Sequence, residues 1–475
     1  MRRRTPLPFH GGGPVNQREV VARGLAAAFL DGEWPTDEVL GAGREARAAL
    51  VDRGADALGQ RPRWLGALVR HVLAAFPLAP HAEFRRLARF IAADRTFLNA
   101  FTRADRRPRV VHFHLPMPRM GPLRWPVPPI ATEGDLAEWL DLSTTELDWF
   151  ADTKGLLRAA CSNRLHHYDY HWLPKASGGL RLLERPKPRL KLLQRRVLHE
   201  ILDRIPAHDA AHGFCRGRSV LSFARPHAAQ RVVLRLDLAD FFPSITATRV
   251  RAVFAAAGYP DEVAHTLAAL CTNRVPHAVL AGPRAAAAPY APSHFYARQR
   301  LRHAHLPQGA PTSPALANLC AFRMDVRLTA AADAAGARYT RYADDLAFSG
   351  DGDFARSARR FGRLVGTITR DEGFALNVRK TKCLPASVRQ VIAGVVVNRH
   401  ANVARVDYDR LKAILHHCVR EGPAAQNRDG VPDLRAHLQG RIGWVAQVNP
   451  QRGARLRSML DRVDWSRECD AEPSP

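Results

Sequence analysis

The first hundred residues carry apolar positions at helical spacing. In "RWLGALVRHVLAAF", Leu65, Leu68, Val69, Val72, Leu73 and Phe76 fall on one face. "EFRRLARFIAADRTFL" repeats the pattern with Phe84, Leu87, Phe90 and Ile91. A helical segment is therefore expected over 1–107. Seven prolines between Pro108 and Pro129 then break any regular period and mark a linker or extended arm, taken as 108–132. In "STTELDWFAD", Ser143 with Glu146 three residues on is a capping box. Short helices are expected over roughly 133–165.

From Tyr170 the texture changes. "YHWLPKASGGLRLLERPKPRLKLLQRRVLHEIL" reads as a strand, a Gly-Gly turn, a second strand and a basic amphipathic helix. "RVVLRLDLADFFPSI" is a strong strand that ends in acid and aromatics. "LPQGAPTSPALANLCAFRMDVRL" is a loop opening into one long helix, and "YTRYADDLAFSG" is a β-hairpin. "FARSARRFGRLVGTITRDEG" is a helix and "VIAGVVVN" a further strand. After Asp407 the chain is helical and basic. Residues 271–305 form a low-complexity insertion whose irregularly spaced histidines suit RNA contact or a solvated loop better than a metal. The mixture predicts an α+β fold.

The chain has 475 residues, enough for two or three domains, and 46% of them are hydrophobic, so a substantial core is expected. The formal net charge is +26. Residues 1–150 contribute 21 basic and 17 acidic side chains, and residues 151–475 contribute 50 and 28. The excess lies in the second part, as a polyanion-binding surface would require. The seven cysteines include no CxxC pair, which argues against a zinc ribbon or a disulfide framework and fits a reducing cytoplasm. No run approaches the roughly 18 apolar residues of a membrane span, and no apolar stretch follows the basic N-terminus. A cytoplasmic location without a membrane partner is expected.

Asp344 and Asp345 sit side by side between two apolar strands. Buried, unpaired carboxylates are very costly, and neighbours repel. A doublet between strands is often only a turn. It also becomes sensible around a divalent cation with a third carboxylate, and Asp237 at the end of "VVLRLD" supplies one if the two strands pair. Two such ions clamp an in-line phosphoryl displacement. Asp240, three residues on, reads as a solvated or capping acid.

In order and spacing these motifs resemble a reverse transcriptase, and most closely the bacterial retron type. "YADD" (Tyr342–Asp345), "LDLADFFPSI" (Leu236–Ile245), "LPQGAPTSPALANL" (Leu306–Leu319), "LNVRKTK" (Leu376–Lys382) and "GVVVN" (Gly394–Asn398) carry the resemblance, over about 168–465. It implies a right-hand polymerase with fingers over 133–235, a palm over 236–398, a helical thumb over 399–466 and a tail from 467, preceded by the helical extension. Ile392-Ala393-Gly394 stands where retron enzymes often carry Val-Thr-Gly, which weakens the subtype but not the chemistry.

The resemblance makes Asp237, Asp344 and Asp345 catalytic metal ligands, joined by the Leu238 carbonyl, for two Mg²⁺ ions or Mn²⁺ in their place. Lys175 and Arg181 would grip the incoming triphosphate, a solvated hairpin being the alternative. Phe242 would crowd the sugar 2′ position. Gln308 and Gly309 would line the nucleotide and template. Lys380 or Lys382 would give a proton to pyrophosphate or simply contact phosphate. Tyr342 would meet the primer end, unless it is strand core. Arg435, Arg441, Arg452, Arg455 and Arg457 would contact phosphates of an RNA–DNA hybrid, with Trp444 and Trp465 as core. The implied activity is RNA-directed DNA synthesis from deoxynucleoside triphosphates on a structured non-coding RNA, giving branched RNA-linked DNA, with a role in phage defence and an effector protein that the sequence does not identify. The competing readings are a group II intron-like reverse transcriptase, an RNA-dependent RNA polymerase that Phe242 disfavours, and a catalytically silent RNA-binding scaffold.

Overall fold

A computed structural model describes residues 17–32, 34, 43–80, 84–103, 107–114, 118–159, 164–175, 180–281 and 298–468. The chain is α+β and divides into two units. The first comprises Met1–Ile205, Thr246–Ala288 and Arg302–Ala310; the second comprises Pro206–Ile245, Pro289–Leu301 and Pro311–Pro475.

The first unit begins with five helices, Gln17–Leu30, Gly43–Leu58, Leu65–Ala75, Phe84–Ala93 and Arg95–Arg103. Their apolar stripes close on one core, in which Phe29, Leu65, Leu68, Val72, Leu87, Ile91 and Phe97 are buried. Part of the proline-rich stretch is docked on this core rather than extended from it. Val110 packs against it, the Val111 amide donates to the Ala57 carbonyl at 2.8 Å, and His114 touches Asp31 and Asp56 at 2.7 and 3.0 Å. Two short helices follow, Glu133–Leu140 and Thr144–Ala151, each opened by a reciprocal capping box from Thr132 or Ser143.

Strands β1 (Tyr168–Pro174) and β2 (Leu180–Pro186) pair antiparallel; the Gly-Gly turn between them lies outside the described residues. Pro188 starts the next helix, Pro188–Glu200, where its missing N–H and fixed φ suit the first turn. The expected insertion is tied at its base. Asn273 and His305 exchange backbone hydrogen bonds at 2.9 and 3.1 Å, so two ends far apart in sequence leave as an antiparallel pair. His277–Ala281 is helical, and residues 282–297 lie outside the described set.

The second unit is built on a four-stranded antiparallel sheet of order β4-β5-β3-β6, with β3 Val232–Asp237, β4 Arg338–Tyr342, β5 Asp345–Gly350 and β6 Lys382–Pro385. The 20-residue helix Gly352–Asp371 lies against it, burying Phe354, Ala358, Phe361, Val365 and Ile368. The helix expected after the LPQG loop comes as two, Ser313–Cys320 and Phe322–Ala334, because the backbone tightens at Ala321 (φ −88°, ψ −3°). "VIAGVVVN" is not one strand. It folds back as β7 (Val391–Ile392) and β8 (Val395–Val396), with Ala393 (φ 43°) and Gly394 (φ 84°) both left-handed, as a tight hairpin turn requires. These strands join helices Arg405–Glu421, Leu434–Val448 and Pro450–Leu460 in a shared core. Trp444 does not belong to that core: it is 38% exposed, off the stripe of Leu434, Leu438, Ile442 and Val445, whereas Trp465 packs at the core margin. Among the described residues no helix is long and apolar enough to cross a membrane.

Candidate active site

The acidic centre belongs wholly to the second unit. β3 and β5 are in register so that Asp237 stands directly opposite Asp345. Asp344 occupies the turn between β4 and β5, and its carbonyl accepts from the Leu238 amide at 2.9 Å. The Asp237 carbonyl accepts from Asn377 at 2.7 Å, which fixes the strand end from the other side. β3 buries nearly every residue, so its last position delivers Asp237 to the rim of the core, where it is still 5% exposed.

The electrostatics are those of a site short of positive charge. Burial, then the charge of Asp237 and in smaller measure that of Asp345, push the Asp344 carboxyl up to about 6. Asp345 is also raised by burial, although Arg235, 3.6 Å away, opposes the shift. Lys380 donates to Asp237 at 2.8 Å; burial lowers the lysine, but the hydrogen bond and the three carboxylates more than offset it. Among the described residues no three His, Cys, Asp or Glu side chains are arranged around a single metal-sized point. The donor set nevertheless suits a hard divalent cation in its chemistry: three oxygen donors, mutually repelling and partly desolvated, with Lys380 and Arg235 supplying part of the missing charge.

The turn itself is braced by residues that pattern reading passed over. Ala343 is left-handed (φ 54°), and its carbonyl accepts from the buried Arg341 guanidinium at 3.1 Å. That guanidinium also forks onto Asp325 at 2.8 and 2.6 Å and reaches the Asn318 side chain at 2.9 Å, with Arg341 and Asp325 both fully buried. From the opposite edge, the His212 backbone amide donates to the Arg341 carbonyl and the Arg341 backbone amide to the Ala210 carbonyl, each at 2.7 Å. Gly213 then passes so close that a Cβ there would stand 2.6 Å from the Ala343 nitrogen. The sequence signal for this was weak, since Arg341 is one of two arginines in the short strand RYTRY.

Other residues of the same unit are placed as follows. The Tyr342 ring packs on Phe223 and Phe214 at 5.7 and 6.3 Å, and half-buried Phe242 lies 6.1 Å from Phe214. Asp240 is left-handed (φ 47°) and bound to Arg300 at 3.3 Å, not merely solvated. Lys382 is exposed on β6. Arg452 stacks on Tyr408 and reaches Asn402 at 3.2 Å, and Arg435 lies over Trp465, so both guanidiniums have internal partners. Arg455 and Arg457 are exposed, and Arg441 is half-buried.

Lys175, Arg181, Gln308 and Gly309 belong to the first unit. Lys175 and Arg181 are exposed at the end of the β1–β2 hairpin where Pro174 pairs with Leu180, away from its open end at Tyr168 and Pro186. The Gln308 carbonyl accepts from the Glu184 amide on β2 at 2.9 Å. Gly309 adopts φ +136°, and a Cβ there would come within 2.7 Å of the Glu184 carbonyl oxygen, so only glycine fits. Glu184 is buried and holds His305 at 2.9 Å and Asn273 at 2.7 Å. Burial lowers the His305 imidazole, but the charge and hydrogen bond of Glu184 leave it raised overall. His305 is thus a core residue that ties the Gln308 loop to β2, not part of a solvated insertion.

Comparison with known proteins identifies the family. A profile of the reverse transcriptase (RNA-dependent DNA polymerase) family matches residues 173–393. The chain is 39% identical over 342 residues to the retron Mx65 reverse transcriptase of Myxococcus xanthus, covering 70% of this chain and 72% of that protein. It is 34% identical over 352 residues to the retron Mx162 reverse transcriptase of the same organism, covering 69% and 66%. Against the retron Ec86 reverse transcriptase of Escherichia coli the figures are 29% over 290 residues, 60% and 77%. The chain belongs to the retron reverse transcriptases, enzymes with RNA-directed DNA polymerase activity.

Proposed function

We propose that the chain copies part of a structured non-coding RNA into DNA that remains joined to it, using Asp237, Asp344 and Asp345 to hold two divalent cations at the growing end. The single observation that carries this reading is the register of Asp237 opposite Asp345, with Asp344 in the adjoining turn. When bound, Mg²⁺, or Mn²⁺ in its place, neutralises the carboxylates, acidifies the attacking hydroxyl and steadies the charge of the departing pyrophosphate. The Leu238 carbonyl would be the further oxygen ligand.

The chain's own side chains do the rest by position and charge. Lys380, which donates to Asp237, would give a proton to pyrophosphate, and Lys382 would contact phosphate. Lys175 and Arg181 hold the triphosphate, while Gln308 and Gly309 line the nucleotide. Phe242 excludes a 2′-hydroxyl, and Tyr342 supports the primer end. In this reading 236–398 is the palm, 133–235 the fingers and 399–466 the thumb. Exposed Arg455 and Arg457, with Arg441, then contact duplex phosphates. Membership of the retron group supports priming from a 2′-hydroxyl of the RNA, a branched product and a place in phage defence.

The test is primer extension by the purified protein on an RNA template with deoxynucleoside triphosphates and Mg²⁺. Extension is expected in the wild type, with loss to background in Asp345→Asn. Full extension by Asp345→Asn would contradict the assignment.

A further inference from the structure

Within the first unit a cleft of ≈ 330 Å³ opens between the helix Asp261–Cys271, the end of the helix Thr144–Ala151 and β1. Its volume is at the lower end of small-ligand sites, roughly 300–1,000 Å³. Three guanidiniums line it: Arg85 from the N-terminal helices, Arg251 from the helix Ala247–Ala256, and Arg274 just beyond the helix Asp261–Cys271. Among the described residues none of the three side chains is in an ion pair or a hydrogen bond.

That is unusual company for bare cations, because acids are at hand and engaged elsewhere. Asp152 lines the cleft, but its carboxylate accepts from the Leu156 amide at 2.7 Å and from Leu157. Glu133 accepts from the Thr266 hydroxyl, and Asp261 takes the Arg85 backbone amide at 3.4 Å. The guanidiniums converge on His265, whose imidazole is held below its ordinary value by desolvation and by Arg85, Arg251 and Arg274, against Glu133. Arg274 lies over Gly155, where a Cβ would come within 3.1 Å of its Nη1. Tyr170 supplies an aromatic wall. Convergent, unpaired arginines with a shaped cavity between them suit a phosphate, which takes paired N–H donors from each fork.

We propose that this cleft is a binding site for the phosphate of a nucleotide, separate from the aspartate centre, and that an RNA strand supplies the nucleotide. The second half rests on the polymerase reading; the first does not. The arginines come from both the N-terminal helices and the body of the first unit, so an occupied site would couple the two through the ligand.

The experiment compares wild type with Arg85→Gln/Arg251→Gln and with Arg274→Gln. The affinity for a short fluorescent single-stranded RNA is measured across a salt series. ATP binding is measured in parallel by equilibrium dialysis in EDTA, which keeps the aspartate centre out of the result. Each lost phosphate contact should lower the salt slope by about 0.7, so the double variant should lose about 1.4 and bind about tenfold more weakly at low salt. Loss of ATP binding with an unchanged RNA slope would keep the phosphate site and overturn the RNA assignment. Unchanged RNA slope and ATP binding in both variants would overturn the site. Arg274→Gln, an exposed loop substitution, carries the same test if the double variant misfolds. Extension of a DNA primer on an RNA template by the wild type, run alongside, reads the polymerase assignment independently.

Discussion

One glycine and one aromatic bear on the geometry of the proposed chemistry. Gly213 lets the 210–213 segment pass directly beneath the Ala343 turn. Gly213→Ala must push backbone against backbone, which should destabilise the protein by about 1–3 kcal/mol. It should also depress primer extension, because the displaced turn is the one that carries Asp344. Thermal unfolding and extension rates measured together check this; an unchanged rate would mean that the turn tolerates movement. Phe242, half-buried and 6.1 Å from the Phe214 ring, makes a separate prediction. Phe242→Ala should raise ribonucleotide incorporation relative to deoxyribonucleotide in single-nucleotide assays, and an unchanged sugar preference would remove the aromatic from its assigned role.

At the scale of elements, the β4–β5 hairpin is held by a buried ion pair rather than by apolar packing alone. Breaking such a pair from one side leaves a buried charge, so Arg341→Met should destabilise the fold by about 3–5 kcal/mol, and adding Asp325→Leu should recover most of that. Denaturant unfolding of the single and double variants measures it. The double variant should still extend primers poorly, since Ala343 has lost the donor that holds its carbonyl.

His227 ties the same hairpin differently, with its ring nitrogens 2.6 Å from Ser349 and 2.7 Å from Thr340. Burial, with Arg338 and His212 nearby, lowers its pKa to about 3. The unfolded chain therefore binds a proton below about 6.5 that the folded chain refuses, and stability should fall as pH drops from there toward about 3. His227→Gln should flatten that limb in pH-dependent melting curves; an equally steep limb would place the acid sensitivity elsewhere.

Across the whole molecule, legibility followed the range of the interaction. The helical stripes at Leu65–Phe76, the Ser143 capping box and the hairpin around Asp344 are local patterns, and each is present in the fold. The pairing of β3 with β5 is long-range, yet it was readable because a divalent cation beside the Asp344–Asp345 doublet calls for a third carboxylate, and Asp237 ends a strong strand that could supply it. What stayed hidden needed tertiary knowledge. Glu184 and His305 are 121 residues apart and meet in a buried pair. Arg341 looked like one more arginine in an arginine-rich chain. Ala393-Gly394 hid a turn inside an apolar run, because a period of two does not distinguish one strand from two short ones.

The central claim is that the aspartates build DNA on an RNA to which it stays attached. The most direct measurement is on nucleic acid from cells carrying the gene with its natural flanking DNA. The account predicts a short, discrete DNA whose mobility rises after RNase treatment and which is absent from a strain carrying Asp344→Asn and Asp345→Asn. A DNA band that persists unchanged in that double variant, or one indifferent to RNase, would contradict it.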